Sequence, residues 1–255
     1  MKIGIFDSGI GGLSVLHQAI KALPNDHFIY YADVDHVPYG EKSKEEIMTY
    51  VDEIINFMIN KEASVIVIAC NTATSVAVKE MRKKYDLPII GMEPAVKKAI
   101  DTYGDSKVLA VATPVTAKGE KLHYLLERFD KHHLVDIAAL PKLVRFAENK
   151  DFDSKHVYDY LNHELSKYNF SDYSSIVLGC THFNYFKDTF RKILPDYIHF
   201  VDGNEGTIHH LMEYVDTHED HLNIDYYFSG IPANERQLED IHIYLDRLEE
   251  MFKIK

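Results

Sequence analysis

Val67-Ile68-Ala69-Cys70-Asn71-Thr72 is a short apolar run that ends on a cysteine and gives way to polar side chains. Farther along, Val177-Leu178-Gly179-Cys180-Thr181-His182 repeats the arrangement. Runs that are apolar on both faces suit strands covered from both sides, as in a parallel sheet, and a helix-like pattern follows each of them. The chain therefore carries a weak internal repeat in which a strand delivers a cysteine into a polar turn. If each half holds one copy, the halves face each other and the two cysteines approach one cleft from opposite sides.

Outward from these two units, further apolar runs rich in Ile, Val and Tyr alternate with helical segments, the pattern of βα units around parallel sheets. Strands are predicted at Lys2–Phe6, Phe28–Tyr31, Val65–Ala69, Ile89–Gly91, Lys107–Ala112, Leu134–Ala138, Ser175–Leu178 and His199–Val201. The best marked helix runs from Lys44 to Asn60. Ser43 and Glu46 have capping-box spacing, and Ile47, Val51, Ile54, Ile55 and Met58 form an apolar stripe.

At 255 residues the chain is long for one core, and two domains sharing an interface are at least as natural as one. A net charge of −12 argues against a surface that tracks phosphates. No stretch approaches the roughly 20 apolar residues needed to span a bilayer. Lys2 leads into the brief apolar segment Ile3–Phe6 and then Asp7, which lacks the form of a signal peptide, so a cytoplasmic location is expected. With only two cysteines, distant in sequence, neither a disulfide scaffold nor a CxxC metal or redox pattern is present. In a reducing compartment both are expected to be free thiols.

Ligands of open α/β sheets bind beyond the carboxyl ends of the strands, where both cysteines fall. A helix start also favours thiolate and can hold a carboxylate through its unpaired N–H groups. Asp7-Ser8-Gly9 follows the first strand, Asn71 and Thr72 follow Cys70, and Thr181 and His182 follow Cys180. These hydroxyls, amides and N–H groups suit a small anionic ligand. Taken singly, Asp7 reads equally well as a helix cap and His182 as a locally satisfied imidazole. Two thiols on opposite sides of a cleft meet the demand of racemisation next to a carboxylate, in which one base removes a proton from one face and an acid supplies one to the other. That chemistry calls for no metal and no organic cofactor.

At these residues the chain resembles the glutamate racemases of bacterial cell-wall synthesis, within the aspartate/glutamate racemase superfamily. The resemblance covers nearly its whole length. It rests on Phe6-Asp7-Ser8-Gly9-Ile10-Gly11-Gly12-Leu13-Ser14-Val15, Val37-Pro38-Tyr39-Gly40, Ala69-Cys70-Asn71-Thr72-Ala73, Ala112-Thr113-Pro114 and Gly179-Cys180-Thr181-His182-Phe183. It implies two similar parallel-sheet α/β domains with the active site between them, the first from residues 1–95 plus 208–255 and the second from 96–207. By the same resemblance Cys180 deprotonates L-glutamate and Cys70 D-glutamate, Asp7 and His182 assist Cys70 and Cys180 respectively, and Glu148 supports the site. Asp7, Ser8, Tyr39, Gly40, Asn71, Thr72, Thr181 and His182 form the substrate site, with Thr113 and Thr116 as further carboxylate contacts. A monomer and a homodimer are both compatible with it. Four positions depart from the family pattern: Leu140 where a cysteine is common, Arg145 in place of a proline, Asn184 in place of another, and Gly119 where a small polar residue is common.

Three other readings compete. Gly9-Ile10-Gly11 after the first strand, with Asp33 closing the second, imitates part of a dinucleotide fingerprint, although Ser14 stands at its third glycine. A non-catalytic amino-acid sensor or partner-regulating protein would use the same pocket, and some family members are reported to inhibit DNA gyrase. His218 and His221 have a metal-like spacing without a convincing zinc signature. Within the superfamily, aspartate racemases also use two cysteines, and Cys-Thr-His favours glutamate by resemblance.

Overall fold

The computed structural model describes residues 1–255 apart from 93–94, 104–105 and 217–220. In chain order its strands are β1 (Lys2–Asp7), β2 (His27–Ala32), β3 (Ala63–Ile68), β4 (Ile89–Gly91), β5 (Lys107–Ala112), β6 (Val135–Ala139), β7 (Tyr173–Gly179), β8 (His199–Val201), β9 (Asn223–Phe228) and β10 (Ile231–Pro232). The first eight coincide with the expected strands to within two residues at either end. The last two were not anticipated.

Two sheets result. One has the order β10-β9-β2-β1-β3-β4 and the other β6-β5-β7-β8. Every pairing is parallel except the β9–β10 hairpin at one edge. The segments β2-β1-β3-β4 and β6-β5-β7-β8 have the same topology: a first strand in the middle, the second on one side, the third and fourth on the other. The internal repeat thus has a counterpart in topology, and each cysteine follows the third strand of its own sheet. Each first strand also borders the point where the order reverses, the place where open sheets form a crevice.

Parallel strands read as continuous apolar runs because helices cover both faces. Ile3, Ile5 and Phe6 of β1, and Leu109 and Val111 of β5, are fully buried. One core joins Ile3 and Ile5 from the first sheet with Leu109, Val111 and Leu178 from the second, so the two halves are fused through shared packing. On the far face of the first sheet, helix Lys44–Asn60 buries Ile47, Val51, Ile54, Ile55 and Met58, and both hydrogen bonds of the Ser43–Glu46 capping box form. Helix Asn204–Met212 packs on helix Leu13–Ala22 near the return of the chain to the first sheet. Among the described residues, no helix is long and apolar enough to cross a membrane.

Candidate functional site

Cys70 is the N-cap of helix Asn71–Lys84, and its sulfur accepts from the Ala73 N–H at 3.4 Å. Ser8 lies 3.7 Å from that sulfur, and the Ser8 hydroxyl in turn donates to Asp7 Oδ1 at 3.4 Å. Asp7 therefore reaches Cys70 through Ser8. Its Oδ1 also accepts from Gly9 N–H at 3.1 Å, while Oδ2 accepts from the Thr181 hydroxyl of the other sheet at 3.0 Å. The thiol of Cys70 is pushed well above its ordinary pKa, first by burial and then by the negative charges of Asp7 and Cys180, against the opposing bonds from Ala73 and Ser8. Burial likewise raises Asp7, with the His182 charge pulling the other way.

Cys180 is held differently. The segment after it, Thr181–Phe186, is a 3₁₀ helix, and the sulfur caps no N–H. Its partner is His182, whose Nδ1 lies 3.8 Å away. The other ring nitrogen of His182, Nε2, is 2.6 Å from Glu148 Oε1. That same carboxylate oxygen accepts from Ile10 N–H at 2.9 Å, which ties the loop after β1 to the helix Lys142–Glu148. Burial works against a protonated imidazole, but the bonds to Cys180 and Glu148 prevail and hold His182 well above its usual pKa. The expected helix-start setting thus exists at Cys70, whereas at Cys180 a Cys–His–Glu array replaces it.

Around the thiols, Ser8, Tyr39, Asn71, Thr72, Thr113, Thr116, Thr181 and His182 are all buried. Thr72, Thr113 and Thr116 form a hydroxyl triangle across the two sheets, with separations of 2.8, 3.2 and 3.2 Å. Thr113 also caps the short helix Pro114–Ala117 through the Thr116 N–H. Gly40 closes on this triangle from above: a Cβ there would sit 2.8 Å from Thr113 Cβ. Tyr39 is nearby, but its hydroxyl is committed to Asp33 Oδ2 at 2.5 Å. Hydrogen bonds thus join Asp7, Ser8, Cys70 and Thr181 in one group and Cys180, His182 and Glu148 in another, and the two thiols are near enough for the charge of one to act on the other.

The sequence reading missed the supports. Tyr30 donates to Gly9 O at 2.8 Å and Tyr185 to Ile10 O at 2.9 Å, so two buried tyrosines fix the loop after β1. Tyr30 looks like any core residue of an apolar strand, and no local signal marks it. Asp33 bonds Tyr39, His36 and the Ser229 hydroxyl.

The glycines of the loop are filled from within the protein. A Cβ at Gly9 would fall 1.9 Å from Glu148 Oε1, and one at Gly11 would fall 2.4 Å from both His182 Nδ1 and Thr181 Oγ1. A dinucleotide loop needs its glycines so that a pyrophosphate can approach the backbone. Here that space holds Glu148, His182 and Thr181, and Asp33 is engaged with Tyr39 and His36. Among the described residues, no cluster of three or more His, Cys, Asp or Glu is placed to hold a metal, and His218 lies outside them.

Residues 7–211 match the family described as Asp/Glu/Hydantoin racemase. The chain is 52% identical to the glutamate racemase of Lachnospira eligens over 265 aligned positions, covering 100% of both chains. It is 50% identical to that of Campylobacter curvus over 266 positions, again covering 100% of both. Its fold superposes on Escherichia coli glutamate racemase, solved with L-glutamate and the activator UDP-MurNAc-Ala, at a TM-score of 0.84 and 29% identity, covering 97% of this chain and 94% of that one. The matched span contains Asp7, both cysteines, Glu148 and His182, and the chain belongs to the Asp/Glu/Hydantoin racemase family.

Proposed function

We propose that this chain interconverts L- and D-glutamate by proton transfer between two thiols, supplying D-glutamate for peptidoglycan synthesis in the bacterial cytoplasm. The observation that carries the reading is the pair of buried cysteines, each following the third strand of its own sheet, with buried hydroxyls beside them in the sequence and in the fold. With L-glutamate bound, the Cys180 thiolate takes the α-proton and becomes a thiol. The Cys70 thiol then delivers its proton to the opposite face of the α-carbon and becomes a thiolate. The D-to-L direction runs the same steps in reverse.

Burial and the charge of Asp7 favour the protonated form of Cys70, which suits the acid that L-glutamate requires. On the other side His182, held protonated by its bonds to Cys180 and Glu148, stands beside the Cys180 sulfur. The carboxylate groups of the substrate would replace hydroxyl–hydroxyl contacts in the Thr72–Thr113–Thr116 triangle and bond Asn71 and the N–H groups at the start of helix Asn71–Lys84. Donors fixed before the proton moves stabilise the charge that develops on the α-carboxylate. The reaction as written draws on no cofactor.

The deciding experiment follows the circular dichroism of D-glutamate, L-glutamate and D-aspartate incubated separately with the purified chain, beside Cys70→Ser and Cys180→Ser. Decay of both glutamate signals to zero, lost in each variant, is the expected result. Decay of aspartate alone would move the substrate to the shorter acid. Ligand binding that survives both substitutions, with no decay at all, would replace catalysis by an amino-acid sensor.

A further inference from the structure

The thiols are almost completely enclosed, with Cys70 at 5% and Cys180 at 6% exposure, so a substrate reaches them only when the segments covering them part. Arg247–Asp188 and Lys150–Asp240 tie the last helix, Glu235–Met251, to the second half, and two further ion pairs cross between the halves beside the turn Tyr39–Glu41. Glu41 ends the turn Tyr39–Glu41, which follows β2 in the first sheet and carries Tyr39 and Gly40. Arg145 stands on helix Lys142–Glu148, which follows β6 in the second sheet and carries Glu148. Their side chains meet in a two-pronged pair, Nη2 to Oε2 at 2.6 Å and Nε to Oε1 at 3.2 Å. Three residues beyond Glu41, Lys44 at the start of helix Lys44–Asn60 reaches Glu120 at the start of helix Glu120–Phe129, at 3.5 Å. Along this rim the first half presents acid then base, and the second half answers with base then acid.

We infer that Glu41 and Arg145 form a clasp across the mouth of the site that sets how often the enclosed thiols open to solvent and substrate. The clasp holds down the turn bearing Tyr39 and Gly40, and Gly40 closes over Thr113. Neither residue touches the reacting atoms; both are positioning residues. Arg145 is also one of the few positions where this chain departs from the pattern it resembles. A proline there could not make the pair, because it has no side-chain donor. At 61% and 43% side-chain exposure the pair sits in water and is screened by salt, which suits a contact that must break and re-form in each cycle. The inference rests on the proposed racemisation only in taking that site as the one that matters; access to it can be measured without turnover.

With only two cysteines in the chain, alkylation by iodoacetamide reports opening cleanly, and peptide mass spectrometry separates Cys70 from Cys180. Arg145→Gln and Glu41→Gln are each expected to speed labelling of both thiols by about 2- to 5-fold, the range of an exposed pair. The double substitution is expected to be no faster than the faster single one, and the exchange Glu41→Arg with Arg145→Glu to return toward the wild-type rate. About 1 M NaCl, where the Debye length is about 3 Å, is expected to speed the wild type more than the Gln variants, in which one of the screened pairs is already gone. Wild-type labelling rates in both single variants would overturn the clasp, as would single effects that multiply in the double. A failure of glutamate racemisation in the parallel dichroism assay would leave this result standing, so the two ideas fall separately.

Discussion

His182 and Glu148, thirty-four positions apart, meet through Nε2 and Oε1 at 2.6 Å, while the opposite ring nitrogen faces Cys180 at 3.8 Å. Glu148 thus fixes the orientation of the ring, and its charge helps keep the imidazole protonated. Glu148→Gln keeps an acceptor for Ile10 N–H but removes the charge. The protonated His182 then loses support, so the alkaline limb of the pH–rate profile is expected to move to lower pH. A lost bond to a charged group, about 1.5–3 kcal/mol, corresponds to roughly a 10- to 100-fold fall in kcat/KM. Enantiomers have equal free energies, so that fall must be the same in both directions. Asymmetry belongs in kcat and KM taken separately, measured from each enantiomer, and an unmoved alkaline limb would remove Glu148 from the array.

Gly11 tests whether the loop after β1 serves this array or some other ligand. An added methyl would meet His182 Nδ1 and Thr181 Oγ1 at 2.4 Å, well inside contact distance. His182 is already bonded through its other ring nitrogen to Glu148, and the Thr181 hydroxyl itself donates to Asp7. Gly11→Ala is therefore expected to destabilise the fold by about 1–3 kcal/mol, the usual cost of overpacking. It should also depress turnover far more than stability, since His182 and Thr181 must both move. Urea denaturation and the dichroism assay, run side by side, check it; full activity in the variant would show that the glycine is dispensable to the thiol site.

Much of the fold was legible because its causes are local. The Ser43–Glu46 box and the stripe from Ile47 to Met58 specify a helix within one stretch, and both are realised in full. β1 to β8 are apolar runs because parallel strands are buried on both faces. β9 escaped notice because Asn223–Phe228 holds Asn and Asp and is only half-buried, stabilised by its ladder to β2 nearly two hundred positions earlier. The site divides the same way. Cysteine, serine, threonine and histidine next to strand ends could be named from their neighbours. That Ser8 links Asp7 to Cys70, that Tyr39 gives its hydroxyl to Asp33, and that Arg145 grips Glu41 are pairings that no local pattern encodes.

Cys70 should leave a signature in stability as well as in catalysis. Its folded-state pKa is raised, first by burial, then by Asp7 and Cys180, above the value of about 8.5 for a free thiol in the unfolded chain. Between those values the native state keeps a proton that the unfolded chain releases. The associated stability is fully present below about pH 8.5 and is lost as pH rises, at up to about 1.4 kcal/mol per pH unit. Serine at this position does not titrate, so Cys70→Ser should lack that part of the alkaline decline. Urea midpoints of the wild type and the variant, compared at about pH 8, 9 and 10, isolate the contribution because the lysines and tyrosines are common to both. Converging stabilities toward pH 10 are expected; parallel curves would mean that Cys70 ionises as easily folded as unfolded, and the resting acid assigned to it would have to be sought elsewhere.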